Sequence, residues 1–201
     1  MNWFMSSDKA HWRVLNDAQT GGGTAISIDN DGVLTSTRGI VQTVTSTPNT
    51  LASANPVNTY AEINSNFRVA ITPKYSNSRI LGTFHIPINP TGASNILFAL
   101  VPWYSTNGGT TKTVLAQGIT TGSRFNLSVA FTRSANGFDA NDMQNHVIHF
   151  HHDPATTSAV TYGYYLRSEG SNTTYFNHSN GNSANWGWTA PHYMELRELK
   201  V

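Results

Sequence analysis

Residues 69–81 read VAITPKYSNSRIL. Val69, Ala70 and Ile71 alternate as a half-buried strand does. Thr72 and Pro73 then stop it, because proline brings no N–H to a ladder, and Asn77 and Ser78 supply a turn before the apolar run that begins at Ile80. Strand, stop, turn, strand is the pattern of an antiparallel sheet. It recurs outward in both directions, with short apolar alternations at 25–28, 40–45, 67–71, 79–88, 96–101, 125–131, 146–150, 160–166, 173–176 and 193–201. No long stripe at helical spacing interrupts them. The expected fold is therefore an all-β antiparallel sandwich, with helix limited to one turn over 140–145 that Asp139 is placed to cap.

Composition agrees with strands and turns. The 201 residues include 25 Thr, 21 Asn and 19 Ser beside 16 Gly, a polar surface almost without charge. Thr favours strands, and Asn, Ser and Gly favour turns. Twelve Lys or Arg against eleven Asp or Glu leave a net charge of +1 and no basic stripe, which argues against a nucleic-acid partner. With 38% hydrophobic and 11% aromatic residues the chain is not of the disordered class. There is no cysteine, so disulfides, thiolate chemistry and Cys-ligated zinc are excluded together. No apolar run approaches the roughly 18 residues of a membrane helix, and the first ten residues lack the pattern of a signal peptide; neither membrane insertion nor export is expected.

Residues 1–39 differ from the rest. Trp3, Phe4, Met5, Trp12, Val14 and Leu15 crowd around a charged patch, Gly21, Gly22 and Gly23 follow, and SIDNDGVLTS at 27–36 looks like a hairpin. The expectation is an attachment segment whose Trp3, Phe4 and Trp12 dock on a partner surface, ahead of a sandwich domain over 40–201. Asp29 and Asp31 suggest the start of a calcium loop, but Asp-Gly here is first a hairpin turn.

Five stretches from Ile40 onward resemble a β-sandwich domain found at the C-terminal ends of tail-fibre-like and other virion structural proteins of bacteriophages, marine ones especially. They are IVQTVTSTPNT (40–50), VAITPKYSNSRIL (69–81), DPATTSAVTYGYYL (153–166), TTYFNHS (173–179) and MELREL (194–199), the last similar to the family's closing strand with one Glu, here Glu198. The Pro-Ala-Thr-Thr-Ser run is the most specific. The resemblance implies a jelly-roll-like sandwich, a homotrimer, and a place at a virion extremity beside other phage proteins. Two departures stand out: His152 then Asp153 replace the usual Asp before that run, and no repetitive shaft is present. A short fibre or tip contacting a host glycan or protein receptor is the expected role, and a capsid or neck decoration protein the alternative. In purely physical terms these motifs build corners: Pro154 stops a strand, and Thr156, Thr157 and Ser158 can bond neighbouring backbone.

Three constellations carry candidate chemistry. In NHVIHFHHD, 145–153, strand alternation puts Val147, His149 and His151 on one face and His146, Ile148 and Phe150 on the other. His149 and His151 could share a transition metal, although hydrogen-bonded rim residues are the preferred reading and no cofactor is expected. The stretch 171–193 gathers Tyr175, Phe176, His178, Trp186, Trp188, His192 and Tyr193 among Asn, Ser and Gly. Flat rings beside amides suit a sugar, so Trp186, Trp188, Tyr175 and His178 are candidate glycan contacts, with Trp103 and Tyr104 in PWYSTNGGTTK as a second group. Catalysis is not expected. There is no G-x-S-x-G, H-E-x-x-H or P-loop, and the nominal carboxylate pairs are Asp139 with Asp142, in a turn-like stretch, and Glu195 with Glu198, on opposite faces of one strand.

Overall fold

A computed structural model describes residues 2–5, 10–13, 26–28, 34–36, 39–91, 96–115, 129–133, 142–180 and 189–201. Four short strands, β1 (Asn2–Met5), β2 (Ala10–Arg13), β3 (Ile26–Ile28) and β4 (Leu34–Ser36), pair in chain order as an antiparallel meander. Their register sets Trp3 opposite Trp12, and Ile28 opposite Leu34 across the expected hairpin.

The rest is an antiparallel β-sandwich of two sheets. One comprises β7 (Val69–Ile71), β13 (Val160–Ser168), β9 (Ile96–Ser105) and β10 (Thr113–Val114), with β11 (Val129–Arg133) also on β9. The other is organised on the 13-residue β8 (Ser78–Pro90). β15 (Tyr193–Lys200) pairs with residues 78–85 of β8 and β14 (Thr174–Phe176) with residues 88–90, while β12 (Gln144–His152) runs along the opposite edge. β5 (Ile40–Ser46) and β6 (Ala52–Ala54) extend that sheet beyond β15 and β14.

Alternation decides which side chains meet. Ile80, Phe84, Ile86 and Ile88 of β8 face Val160, Tyr162, Tyr164 and Leu166 of β13, and Phe98, Leu100, Ile148, Phe150, Met194 and Leu196 complete a closed core. Each large apolar side chain fully buried there contributes about 1.5–3 kcal/mol. Gly82 sits opposite Phe150 in the β8/β12 register, and the phenyl ring occupies the space that a Cβ on Gly82 would need. The ring then stacks on Tyr162 at 5.5 Å, joining the sheets.

All ten expected strand regions carry strands, with shifted ends. Residues 125–128, part of one of them, lie outside the described residues. The helical turn over 140–145 is not formed in its described part: Gln144 and Asn145 already belong to β12, and among the described residues there is no helix. The corner after β12 is as expected, with the Ser158 amide donating to Thr156 Oγ1 at 3.0 Å and Ala155 taking up a left-handed φ of 51°.

Candidate functional site

The chain on either side of residues 179–188 is held by a buried polar network. His178 and Thr189 pair in an antiparallel bridge, and the Ala190 amide donates to the Asn177 carbonyl at 3.1 Å. Asn177, at a left-handed φ of 65° that Asn tolerates, donates its amide hydrogens to the carbonyls of Pro48 and Thr50 at 3.0 and 2.9 Å. Its Oδ1 is thereby turned toward His192 Nδ1, to which it is hydrogen-bonded. The Nδ1 proton goes to Asn177, and His192 Nε2 accepts from the Tyr164 hydroxyl at 2.5 Å. Every polar position of a neutral imidazole is used. The ring stacks on Phe67 at 4.2 Å, and burial lowers the His192 pKa to about 3 while raising that of Tyr164 well above its ordinary value.

Two clefts open on either side of the 189–191 segment that this network pins. One, of about 780 Å³, is lined by Thr47, Asn49, Leu51, Asn177 and Thr189. The other, of about 430 Å³, lies on the outer face of the β8 sheet between Pro87, Asn145, Pro191 and Tyr193. Ala190 and Pro191 form the wall they share.

Of the candidate glycan residues, Tyr175 and His178 come together, their rings meeting edge to face at 5.1 Å. Trp186 and Trp188 lie outside the described residues. Trp103 is placed differently from the sequence expectation: it belongs to β9, not to a loop, and is fully buried. Its ring lies across Gly163, its register partner on β13, where any Cβ would collide with it. Arg68 and Lys112 lie over it at 5.6 and 5.3 Å from the ring centre. Glu62 clamps both cations, taking Arg68 at 2.6 and 2.8 Å and Lys112 at 3.2 Å. Burial would raise the Glu62 pKa, but these two partners together outweigh it and hold the carboxyl below its usual range. A covered indole offers no face to a ligand. Tyr104 is half-buried against His152, at 4.0 Å between rings.

The imidazoles of β12 alternate as expected, with His149 and His151 exposed on the outer face. His149 Nδ1 is hydrogen-bonded to Thr83 Oγ1 at 3.1 Å, and among the described residues no group of three His, Asp or Glu side chains could hold a metal ion. His152 is half-buried, bonded to the Tyr162 hydroxyl at 2.9 Å, and burial lowers its pKa against the opposing charge of Asp153. Trp3 and Phe4 fall on β1 and Trp12 on β2.

The nominal carboxylate pair of β15 points to opposite sides. Glu195 faces outward, bonded to the Tyr193 hydroxyl at 2.7 Å and to Arg197 Nε at 2.5 Å. Glu198 is buried and takes Gln42, the Lys74 and Tyr75 amides and Ser78. Asp139, of the other pair, lies outside the described residues.

Sequence reasoning missed the partnership of Tyr164, Asn177 and His192. The available signal was Tyr162 and Tyr164 on the inward face of an apolar strand, since buried hydroxyls require partners.

No family model and no curated relative matches the chain. Among solved structures it overlaps the VP2 subviral particle of infectious bursal disease virus at 11% identity and a TM-score of 0.36, over 95% of this chain and 42% of that one. The structure of the Gx strain of the same virus gives 10% identity and a TM-score of 0.37, over 94% of this chain and 46% of the other. The chain thus spans less than half the length of either. Overlaps at this level assign it neither a family nor an activity.

Proposed function

We propose that the chain is a non-enzymatic virion structural protein of a bacteriophage, a short fibre or tip that assembles as a homotrimer and meets the host surface. Residues 1–39 are its attachment segment and 40–201 its sandwich domain. The observation that carries the reading is the rigid framework that holds the chain on either side of residues 179–188. The His178–Thr189 bridge and the Tyr164–His192–Asn177 network fix the chain before and after a stretch whose sequence holds Trp186 and Trp188, and two clefts flank the 189–191 segment. Recognition built on loops of a rigid sandwich can vary without disturbing the core. The five stretches that resemble phage virion domains support the same reading. So does the committed state of the carboxylates on β15, one inside the protein and one tied to Tyr193 and Arg197.

The test has three measurements. Light scattering on the purified protein is expected to give three times the 22.0 kDa chain mass, and a single-chain mass overturns the trimer. Antibodies to the protein are expected to label a particle extremity by electron microscopy. The purified protein is expected to bind host cells, and the Trp186→Ala/Trp188→Ala variant to lose that binding at an unchanged melting temperature. Particle labelling without cell binding identifies a decoration protein instead.

A further inference from the structure

The smaller cleft has a chemistry of its own. Tyr193 stands at its rim with 36% of its surface exposed, and its ring is fixed at two points. Its hydroxyl donates to Glu195 Oε2 at 2.7 Å, and its ring meets the His85 imidazole edge to face, at 5.8 Å between ring centres and 64° between planes. Pro87 and Pro191 form apolar walls. Asn145 is exposed, with no partner in the protein among the described residues, and Gln144 spends only Oε1, on His146 Nε2 at 2.9 Å. The cleft therefore presents one fixed aromatic face, uncommitted amide donors and an imidazole.

Charge narrows the ligand. Among the described residues lining the cleft there is no Lys, Arg, Asp or Glu, and the charges beside it, Glu195 on the Tyr193 hydroxyl and Arg197, are paired with each other, so the cleft itself offers no free charge to a carboxylate, a phosphate or an ammonium group. What matches is a neutral molecule with a flat apolar C–H face and a rim of hydroxyls. Its volume of about 430 Å³ lies within the usual range for small-molecule sites, roughly 300–1,000 Å³.

We propose that this cleft is a subsite for a neutral pyranose, with Tyr193 as the stacking platform and Asn145, Gln144 and His85 as hydroxyl partners. The inference rests on the host-contact reading and deepens it. Preorganisation favours binding here, because the ring of Tyr193 loses little freedom when a ligand stacks on it.

Saturation-transfer NMR on the full chain decides it, with the methyl glycosides of glucose, galactose and mannose and with N-acetylglucosamine as probes. Glucuronic acid and N-acetylneuraminic acid serve as charged controls. At least one neutral probe is expected to saturate the protein in the millimolar range, with the acids weaker. Tyr193→Ala and Asn145→Ala are each expected to lower affinity about tenfold, equivalent to about 1.4 kcal/mol, while Tyr193→Phe keeps the platform and stays near wild type. Asn145 is exposed, so its variant retains the fold if Tyr193→Ala does not. The subsite is overturned if no neutral probe binds, if the acids bind as well, or if both alanine variants bind as wild type. If neither alanine variant loses neutral-probe affinity while wild type and both variants bind host cells, the subsite is rejected and host contact stands. Wild-type protein that binds a neutral probe at Tyr193 but not the cells rejects host contact alone.

Discussion

The Ser78 hydroxyl donates to Glu198 Oε1 at 2.5 Å in the interior of the sandwich, where both side chains are buried. The same oxygen takes the amides of Lys74 and Tyr75 at 2.8 and 3.3 Å, and Oε2 takes Gln42 Nε2 at 2.6 Å. One carboxylate on the last strand thus holds the turn between β7 and β8. Glu198→Gln keeps the shape but turns one acceptor into a donor facing donors. Urea denaturation is expected to show a loss of about 2–4 kcal/mol, against about 1–2 for Ser78→Ala. A double-mutant cycle should give a coupling of about 1–2 kcal/mol, and purely additive losses would break the assignment.

This clasp also marks where the sequence stopped being legible. Strand, proline stop and turn at 69–81 are local chemistry, and alternation alone separated the two faces of β12 and set Glu195 and Glu198 of β15 on opposite sides. The partner of the turn lies more than a hundred residues away, and no local pattern carries it. The expected strand covers 96–101, yet β9 runs on to Ser105 across Pro102, which falls between the part of β9 paired to β11 and the part paired to β10, where an N–H is not required. Pro87 sits in the equivalent gap between β15 and β14 on β8. Trp103 therefore lies in the strand and not in the loop expected over 102–112. Tyr175 with His178 was legible because only two residues of chain separate them, whereas Tyr164 and His192 meet only through the fold.

Trp103 and Gly163 form a matched pair across β9 and β13, and the prediction concerns the glycine. Gly163→Ala puts a methyl where the indole lies, so the ring must leave its place beneath Arg68 and Lys112. A loss of about 1–3 kcal/mol is expected by thermal or urea unfolding, with a change in the near-ultraviolet dichroism of the protein. Trp103→Ala should destabilise the fold by more, about 3–5 kcal/mol, as removal of a core aromatic does. A stable Trp103→Ala protein with weakened ligand binding would restore Trp103 as a contact residue.

His149 and His151 are expected to act as outer-face side chains without a metal. His149 shares a hydrogen with Thr83, and nothing described nearby completes a ligand set. Treatment with a chelator followed by gel filtration should leave the melting temperature unchanged. Elemental analysis should give far less than one transition metal per three chains. A drop in melting temperature that added zinc or nickel reverses would establish a shared site.

The buried imidazole of His192 makes stability depend on pH, and the sign follows from its protonation. In the unfolded chain its pKa is near 6.5, whereas burial beside Phe67 and Tyr164 lowers it to about 3 in the fold. Below pH 6.5 the unfolded state takes up a proton that the folded state refuses, so stability is fully present above that pH and is lost as pH falls toward 3. Linkage puts the loss at about 2 kcal/mol by pH 5. His146 and His152, whose pKa values burial also lowers, add to the loss in the same direction. His192→Gln keeps side-chain hydrogen-bonding capacity but has nothing to titrate. It should be less stable than wild type at pH 7 and should lose less further stability between pH 7 and pH 5, measured by urea midpoint at each pH. Wild type and variant falling in parallel would show that His192 is not the group that titrates.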